Sequence, residues 1–269
     1  MTEFSGKKVL ITGAAGGLGE KMALEIARQG ACLILLDIAM DRLQKVAAEI
    51  VSLGAKVSCY RCDLSQKEEI YDCSKKIQAD VGTPDIIINN AGIVSGKSFL
   101  DTSDDKIEKT FLVNTLAPIW LVKFFLPEMI ARRTGHIVNI SSAAGTIGVA
   151  GLADYCGSKF GLFGFDESLR NEFKKKRIPI HTTIVCPYYI NTGMFDGVKT
   201  RFPWILPILD ESRVVQKIVH AIKKNRACLM MPWIVYAVMP LRIFPVSIFD
   251  WIAQFLGIHT GMDEFKGRK

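Results

Sequence analysis

The sequence predicts an α/β fold: a single domain with a doubly wound parallel sheet of about seven strands and helices on both faces. Short runs rich in Val, Ile and Leu alternate with longer helical patterns through the first two thirds of the chain. These runs are apolar along their whole length, as expected for parallel strands that helices cover on both faces. Right-handed crossovers between such strands wind the sheet in both directions. A third observation supports the same fold class: a glycine-rich turn follows the first predicted strand.

Six strands and the helices that connect them are predicted in chain order. The strands span residues 8–12, 32–37, 56–63, 85–92, 135–142 and 180–187. Helical patterns cover about 18–29, 41–53 and 103–131. A helix capped by Ser65 follows the third strand, and another helix opens near Tyr155. We expect a last strand beyond residue 226.

The composition permits a large core and excludes several classes of protein. Hydrophobic residues make up 49% of the 269 residues and charged residues 23%, as in an ordinary globular chain. The net charge of +7 comes partly from basic runs at 174–177, 223–224 and 266–269. Such runs are typical of solvated helix ends, with an anionic membrane surface as the alternative. No nucleic-acid motif accompanies them, so we predict no nucleic-acid partner.

The seven cysteines indicate reduced thiols rather than disulfides or a metal site. Their number is odd, and Cys59 and Cys62 form a single C-x-x-C with no second pair or His cluster. We therefore predict no metal, and reduced thiols fit the cytosol. The first ten residues lack an apolar signal region, so we expect a cytoplasmic protein.

The turn TGAAGGLG, residues 12–19, has the features of a phosphate-binding loop. Gly13, Gly17 and Gly19 permit a tight turn and a close approach of the backbone to a pyrophosphate. The next helix begins around Leu18, and its N-terminus offers free N–H groups and a partial positive charge. A strand before the turn and a helix after it indicate dinucleotide binding.

Acidic residues end the second and third predicted strands. Asp37 suits the two ribose hydroxyls of NAD and would repel the extra phosphate of NADP. Arg42 is the nearest cation that could reach such a phosphate. We therefore predict NAD as the cofactor. Asp63 could bind the adenine amino group or mark a helix start, and the sequence leaves both open.

Tyr155 and Lys159 are spaced to share one face of a helix. A neighbouring cation stabilises a phenolate and lowers the pKa of the tyrosine, which can then exchange a proton with an alcohol. The alternative is an amphipathic helix with a buried tyrosine and a solvated lysine. The spacing alone does not distinguish these two interpretations, and motifs elsewhere in the chain are needed to choose between them.

Several motifs occur in an order that is similar to a known family. They are TGAAGGLG, Asp63, NNAG at 89–92, Asn114, Ser142 and YCGSK at 155–159. With them, residues 7–194 resemble the short-chain dehydrogenase/reductase family. The resemblance implies a Rossmann-type, NAD-binding catalytic domain at 1–226 and a hydrophobic extension at 227–269. Stretches such as GLADYCGSKFG and TTIVCPYYINTGMF look like epidermal-type retinol dehydrogenases and related hydroxysteroid dehydrogenases.

The resemblance implies four catalytic roles. Tyr155 would exchange a proton with the substrate oxygen, and Ser142 would hydrogen-bond and orient that oxygen. Lys159 would lower the pKa of Tyr155 and hold the nicotinamide ribose. Asn114 would support a water that links Lys159 to solvent.

Further contacts with cofactor and substrate are implied in the same way. The additional cofactor residues are Asn90, Gly92, Thr192 and the backbone of Ile190. Tyr188 stands where the family usually has glycine, which places an aromatic ring near the substrate. Met194 lies in the region that covers the substrate.

The predicted function is an NAD(H)-dependent oxidoreductase that interconverts a lipophilic alcohol, retinol-like or hydroxysteroid-like, and its carbonyl. One alternative is an NADPH-dependent 3-oxoacyl-type carbonyl reductase. The other is a non-catalytic, cofactor-binding protein at a membrane. The resemblance also implies a homodimer or homotetramer formed by the long helices.

The C-terminal extension leaves three interpretations open. Residues 227–241 carry no charge, but the stretch falls short of the about 20 residues of a membrane span, and two prolines interrupt it. One helix face is then formed by Ile248, Trp251, Ile252, Phe255 and Leu256. That face could pack on the domain or a second subunit, rest peripherally on a membrane, or cover an apolar substrate pocket.

Overall fold

The computed structural model describes residues 1–262, 264, 265 and 267. Within this part of the chain, seven parallel strands form one sheet in the order β3-β2-β1-β4-β5-β6-β7. The strands are β1 Lys8–Thr12, β2 Cys32–Asp37, β3 Val57–Arg61, β4 Ile86–Asn89, β5 His136–Ile140, β6 His181–Pro187 and β7 Cys228–Met231. The predicted doubly wound parallel sheet is confirmed.

Helices cover both faces of the sheet. They are α1 Gly17–Arg28, α2 Met40–Ser52, α3 Lys67–Asp80, α4 Asp104–Phe111, α5 Ala117–Ala131, α6 Ala153–Lys176, α7 Glu211–Lys223, α8 Val238–Leu241 and α9 Val246–Phe255. Buried side chains of α1, α2 and α7 pack with one set of strand residues. Those of α3, α5 and α6 pack with the alternate residues of the same strands, because successive strand side chains point to opposite faces.

Two boundaries differ from the sequence prediction. The third strand ends at Arg61, so Asp63 lies in the turn that follows and not at the strand end. The prediction that Ser65 caps the next helix is wrong. That helix begins at Lys67 with Gln66 at its N-cap and no side-chain cap, because Ser65 donates its hydroxyl and N–H to Asp63 instead.

The stretch predicted as one long helix is interrupted by a π-helical turn. α4 and α5 are joined through Leu112–Leu116, and π turns frequently occur at functional sites. Among the described residues, the continuous stretch Asp104–Ala131 is also long and apolar enough to cross a membrane, with half of the tested window buried. A core helix meets the same criterion, and α5 packs on the sheet with α3.

Candidate active site

A cleft runs along the carboxyl edge of the sheet. Its cavity measures about 450 Å³ and lies where the strand order turns at β1 and β4, which is where open parallel sheets bind their ligands. Of the residues predicted for the site, the wall contains Gly13, Gly17, Leu18, Asp37, Asp63, Asn90, Gly92, Ser142, Tyr155, Lys159, Tyr188, Ile190, Thr192 and Met194. Gly19 and Asn114 lie behind this wall and support it.

The glycine turn forms a cradle whose shape depends on missing side chains. Gly13 and Gly17 adopt φ values of 65° and 56°, a region that glycine enters without strain. A Cβ on Gly19 would lie 2.6 Å from Nδ2 of Asn90 and closer still to the carbonyl oxygen of Gly13. The first turn of α1 can therefore approach the loop only with glycine at this position.

Asn90 fastens this cradle to β4. Its Nδ2 donates to the carbonyl oxygens of Thr12, at 2.9 Å, and Gly13, at 3.2 Å. The hydroxyl of Thr12 accepts the backbone N–H groups of Asn90 and Ala91, each at 3.0 Å. These four bonds hold the ends of β1 and β4 together on either side of the cleft.

The two predicted acidic residues lie at the same end of the cleft. Asp37 accepts the N–H of Ala15 at 3.0 Å and the N–H of Ala39 at 2.9 Å, which sets its carboxylate beside the glycine turn. Asp63 also lines this wall. Burial raises the pKa of the Asp63 carboxyl, but the hydrogen bonds from Ser65 outweigh burial and hold that pKa below its usual range. Asp63 thus shapes the turn before α3 and also faces the cleft.

The N-terminal turns of α6 bring Tyr155 and Lys159 together. Nζ of Lys159 lies 5.7 Å from the centre of the Tyr155 ring and donates to the carbonyl oxygen of Ile140 at 2.9 Å. Both side chains are almost fully buried. The alternative of a solvated lysine on an amphipathic helix is therefore excluded.

Burial controls the acidity of this pair. It raises the pKa of the Tyr155 phenol, and a hydrogen bond from Ser142 offsets part of the rise. It lowers the pKa of the Lys159 ammonium to about 8. Burial is thus the largest influence on the pKa of Tyr155 in the chain itself, and the lowering of that pKa by Lys159 stays a prediction.

Asn114 lies in the π-helical turn, where its side chain reaches across to the β4 loop. Its Oδ1 accepts the N–H of Ile93 at 2.8 Å, and its Nδ2 donates to the carbonyl oxygen of Ile93 and to the hydroxyl of Ser158. Gly92 lies between Oδ1 of Asn114 and Nζ of Lys159, which a Cβ there would approach at 3.4 and 3.3 Å. Glycine at this position leaves space between the amide and the ammonium.

A second cavity, of about 100 Å³ and almost entirely apolar, adjoins the cleft. Ser142, Tyr155, Tyr188 and Phe195 belong to both walls. Sequence reasoning missed Phe195, whose ring lies edge-on to Tyr155 at 5.9 Å. Its only sequence signal was its position in the segment that follows β6.

The C-terminal extension closes the apolar cavity. From α9, the wall contains Phe249, Ile252 and Ala253, followed by Leu256. The prediction of a single apolar face on this helix is therefore wrong in part. Ile248, Trp251 and Phe255 are exposed, on the side away from the cavity. Nearly the whole helix is apolar, so periodicity could not tell the inner side from the outer side.

A dinucleotide-sized cleft that meets an apolar cavity at a buried tyrosine hydroxyl defines the class of the protein: a nicotinamide-dependent oxidoreductase that acts on CH–OH donors. The chain belongs to the short-chain dehydrogenase family, whose model, described as short chain dehydrogenase, matches residues 7–201.

Named relatives cover nearly the whole chain. It is 47% identical to the mouse (Mus musculus) protein named epidermal retinol dehydrogenase 2 over 270 residues, covering 98% of this chain and 87% of the relative. It is 40% identical to estradiol 17-beta-dehydrogenase 11 of Pongo abelii, covering 85% of this chain and 75% of the relative.

Solved structures agree on the fold. A short-chain dehydrogenase/reductase from Burkholderia phymatum in complex with NAD superposes with a TM-score of 0.81, at 24% identity, covering 92% of this chain and 96% of the other. A metagenomic short-chain oxidoreductase in complex with NADP has a TM-score of 0.70 at 27% identity, covering 85% and 96%. The two neighbours hold different cofactors, so they do not show whether this chain prefers NAD or NADP.

Proposed function

We propose that this protein is an NAD(H)-dependent oxidoreductase that interconverts a lipophilic alcohol and its carbonyl. The observation that carries the proposal is the position of Tyr155, whose side chain belongs to the walls of both the dinucleotide cleft and the apolar cavity. A substrate in the apolar cavity can therefore meet the tyrosine hydroxyl and the cofactor at one point.

The residues present fit a nicotinamide dinucleotide. The glycine cradle places the N-terminus of α1 at the cleft, where its first N–H groups would bind a pyrophosphate, and Asp37 would accept the ribose hydroxyls. Its carboxylate would repel a 2′-phosphate, which supports NAD over NADP, although Arg42 lines the same cleft. Asp63, Asn90, Gly92, Ile190 and Thr192 would complete the contacts. When bound, the cofactor accepts or supplies the hydride.

The chain's own residues manage the proton and the substrate oxygen. Tyr155 would give its proton to the oxygen of a carbonyl substrate, or take one from an alcohol. Ser142, which lines both cavities together with Tyr155, would hold the same oxygen. Lys159 would bind the nicotinamide ribose and stabilise the phenolate. Asn114 would support a water beside Lys159 that carries the proton to solvent.

The raised pKa of Tyr155 affects the two directions of the reaction differently. The phenol is protonated at neutral pH, so the proton for carbonyl reduction is in place. Alcohol oxidation needs the phenolate and should speed up as the pH rises.

The substrate class follows from the apolar cavity. Aliphatic and aromatic side chains make up most of its wall, and Ser142 and the tyrosines provide its few polar atoms. The chemistry of this wall favours an apolar molecule with one oxygen function. The relatives named retinol dehydrogenase and estradiol 17-beta-dehydrogenase support a retinol-like or hydroxysteroid-like substrate, with Tyr188 and Met194 at its edge.

The test is a panel of retinol, hydroxysteroids and 3-oxoacyl thioesters, each with NAD(H) and NADP(H), followed by nicotinamide absorbance. We expect the highest kcat/KM for a lipophilic alcohol with NAD. Tyr155→Phe should lower kcat by about 10²–10⁴-fold and leave the Kd of NAD unchanged. Tyr71→Phe, on the distant helix α3, removes a hydroxyl outside the site and should change neither. Full turnover by Tyr155→Phe would overturn the acid/base role, and a better rate with 3-oxoacyl thioesters and NADPH would favour the alternative reductase.

We also propose self-association as a homodimer or homotetramer through the long helices. Phe111, Leu116 and Ile130 leave a third of their surface exposed along α4, the π turn and α5, which supports an apolar contact there. Light scattering should report two or four chains, and Leu116→Glu should give monomers. A monomeric wild type would contradict this proposal.

We also propose that the protein is cytoplasmic and contacts a lipid surface peripherally, which is supported by exposed rings of residues 202–204 and of α9. The rings of Trp204, Phe202, Phe255 and Trp251 follow one another at centre distances of 6.2, 5.6 and 5.9 Å. Trp204 is 80% exposed and Trp251 63%. The guanidinium of Arg201 lies 5.4 Å from the Phe202 ring and 5.5 Å from the Phe255 ring. Exposed aromatic rings beside a cation fit the interface of an anionic membrane.

This aromatic surface lies on the outer side of α9, whose inner side lines the apolar cavity. A lipophilic substrate held in the membrane would thus be close to its binding site. Flotation with phosphatidylserine-containing liposomes tests the contact. We expect wild type and the control Leu100→Glu, at another exposed apolar residue, to float, and Trp251→Glu to remain in solution. Flotation of Trp251→Glu, or none of the wild type, would refute it.

A further inference from the structure

Asp154 is a buried carboxylate directly before Tyr155. It is the second residue of α6 and only 6% exposed. It lines neither the dinucleotide cleft nor the apolar cavity, so it does not touch cofactor or substrate there. Buried carboxylates are costly unless they are well bonded, so the bonds that Asp154 makes indicate what it does.

Two hydroxyl groups from different segments lie within hydrogen-bond distance of this carboxylate, and that of Thr110 is shared with the carbonyl oxygen of Lys106 at 2.8 Å. The hydroxyl of Ser95, in the irregular segment after β4, donates to Oδ1 at 2.7 Å. The hydroxyl of Thr110, in α4, lies 2.9 Å from Oδ2. Asp154 therefore links the helix that carries Tyr155 to the β4 loop and to α4.

The link to Ser95 sits next to the link that Asn114 makes to Ile93. Between them is Val94, which packs against the apolar cluster that contains Tyr155 and Phe195. The backbone of Ile93 and the side chain of Ser95 are thus both held by hydrogen bonds, which keeps Val94, between them in the chain, against that cluster. Gly96, the next residue, lies directly against the ring of Phe265.

We propose that Asp154 is a positioning residue for the reaction: it holds the β4 loop, through Ser95, against Tyr155 and so fixes the phenol relative to the substrate. This inference rests on the proposed function. The competing explanation is an acidic residue that stabilises only the N-terminus of α6. That role requires neither hydroxyl partners nor burial. The carboxylate of Asp154 is buried and contacts hydroxyl groups of two other segments.

The experiment compares Asp154→Asn and Ser95→Ala with wild type and with the control Thr110→Ser, which keeps its hydroxyl. We expect Asp154→Asn and Ser95→Ala to lower kcat at least tenfold, since small misplacements of a catalytic group have large effects on rate. The Kd of NAD should stay within about twofold, because the cradle is untouched. The double variant Ser95→Ala/Asp154→Asn should be no slower than Asp154→Asn alone, since the two residues act as a unit.

A purely structural role predicts a different result: lower melting temperatures of Asp154→Asn and Ser95→Ala with unchanged kcat per folded molecule. That finding would overturn the proposal. Hydrogen exchange of backbone amides 93–96, measured in the NAD complex, reports on the link without any substrate. We expect faster exchange there in Asp154→Asn and Ser95→Ala, with α3 unchanged. If the wild type oxidised no alcohol, the proposed function would fail while this exchange measurement still decided whether Asp154 holds the loop.

Discussion

Replacement of Gly19 by alanine tests the glycine cradle most directly. The new Cβ would lie 2.6 Å from Nδ2 of Asn90, 2.9 Å from the carbonyl carbon of Gly13 and closer still to its oxygen. Contacts under 3.0 Å essentially never occur for a real Cβ, and two of these atoms are backbone. The turn must therefore open, and Asn90 must leave its bonds to Thr12 and Gly13.

The cost can be worked from these contacts. Overpacking of a tight site costs about 1–3 kcal/mol, and each lost hydrogen bond adds about 1 kcal/mol. For a chain of this size, 1 kcal/mol corresponds to about 2–4 °C in melting temperature. Gly19→Ala should thus lose about 3–5 kcal/mol of unfolding free energy and melt roughly 6–20 °C below wild type. The Kd of NAD should rise at least tenfold, because the N–H groups of the turn no longer converge.

Gly164→Ala is the matched control. Its Cβ would meet no atom within 4 Å, and it lies inside α6. Alanine is about 1 kcal/mol better than glycine in a helix, so this variant should melt slightly above wild type and bind NAD normally. Thermal unfolding and titration of NAD by fluorescence measure both effects. An unchanged melting temperature and NAD affinity in Gly19→Ala would refute the steric reasoning.

Three further predictions concern charge and pH. Asp37→Ala removes the repulsion of a 2′-phosphate, so the kcat/KM ratio of NAD to NADP should fall about tenfold, equivalent to about 1.4 kcal/mol; an unchanged ratio would show that Asp37 does not discriminate. Ser142→Ala removes the hydrogen bond that offsets burial and so raises the pKa of Tyr155 further. The acid limb of the pH profile for alcohol oxidation should move to higher pH, and a shift to lower pH would contradict the assignment. Burial raises the pKa of Asp166 from 3.8 to about 6, so its protonated form stabilises the fold below pH 3.8, and this contribution is lost as the pH rises through 6. Relative to Asp166→Asn, wild type should lose on the order of 3 kcal/mol of unfolding free energy between pH 4 and 7. Denaturant unfolding at several pH values measures the difference, and parallel curves would exclude the titration.

Some elements of the fold could be read from local patterns. The strands around Leu33 and Ile87 are continuous apolar runs, and such runs occur where helices cover a sheet on both sides. Gly13 and Gly17 mark a turn because few other residues adopt positive φ. The sequence also placed Tyr155 and Lys159 on one helix face, which depends only on their spacing.

Other features could not be predicted because they depend on distant segments. The outer and inner sides of α9 look alike in sequence, and only its packing on Ile147 and Leu206 separates them. The hydrogen bond from Ser95 to Asp154 joins residues that are far apart in the chain. The raised pKa of Tyr155 follows from burial, which no local pattern reports.

The sequence by itself determined the parallel sheet, the glycine turn and the order of the site motifs, because each depends on backbone conformation and hydrophobic periodicity over a few residues. The tertiary structure decided which side of α9 faces the cavity, how Asp154 and Asn114 hold the β4 loop, and how acidic Tyr155 is. These properties arise from long-range packing, and packing sets both the burial of each ionisable group and the partners that its polar atoms find.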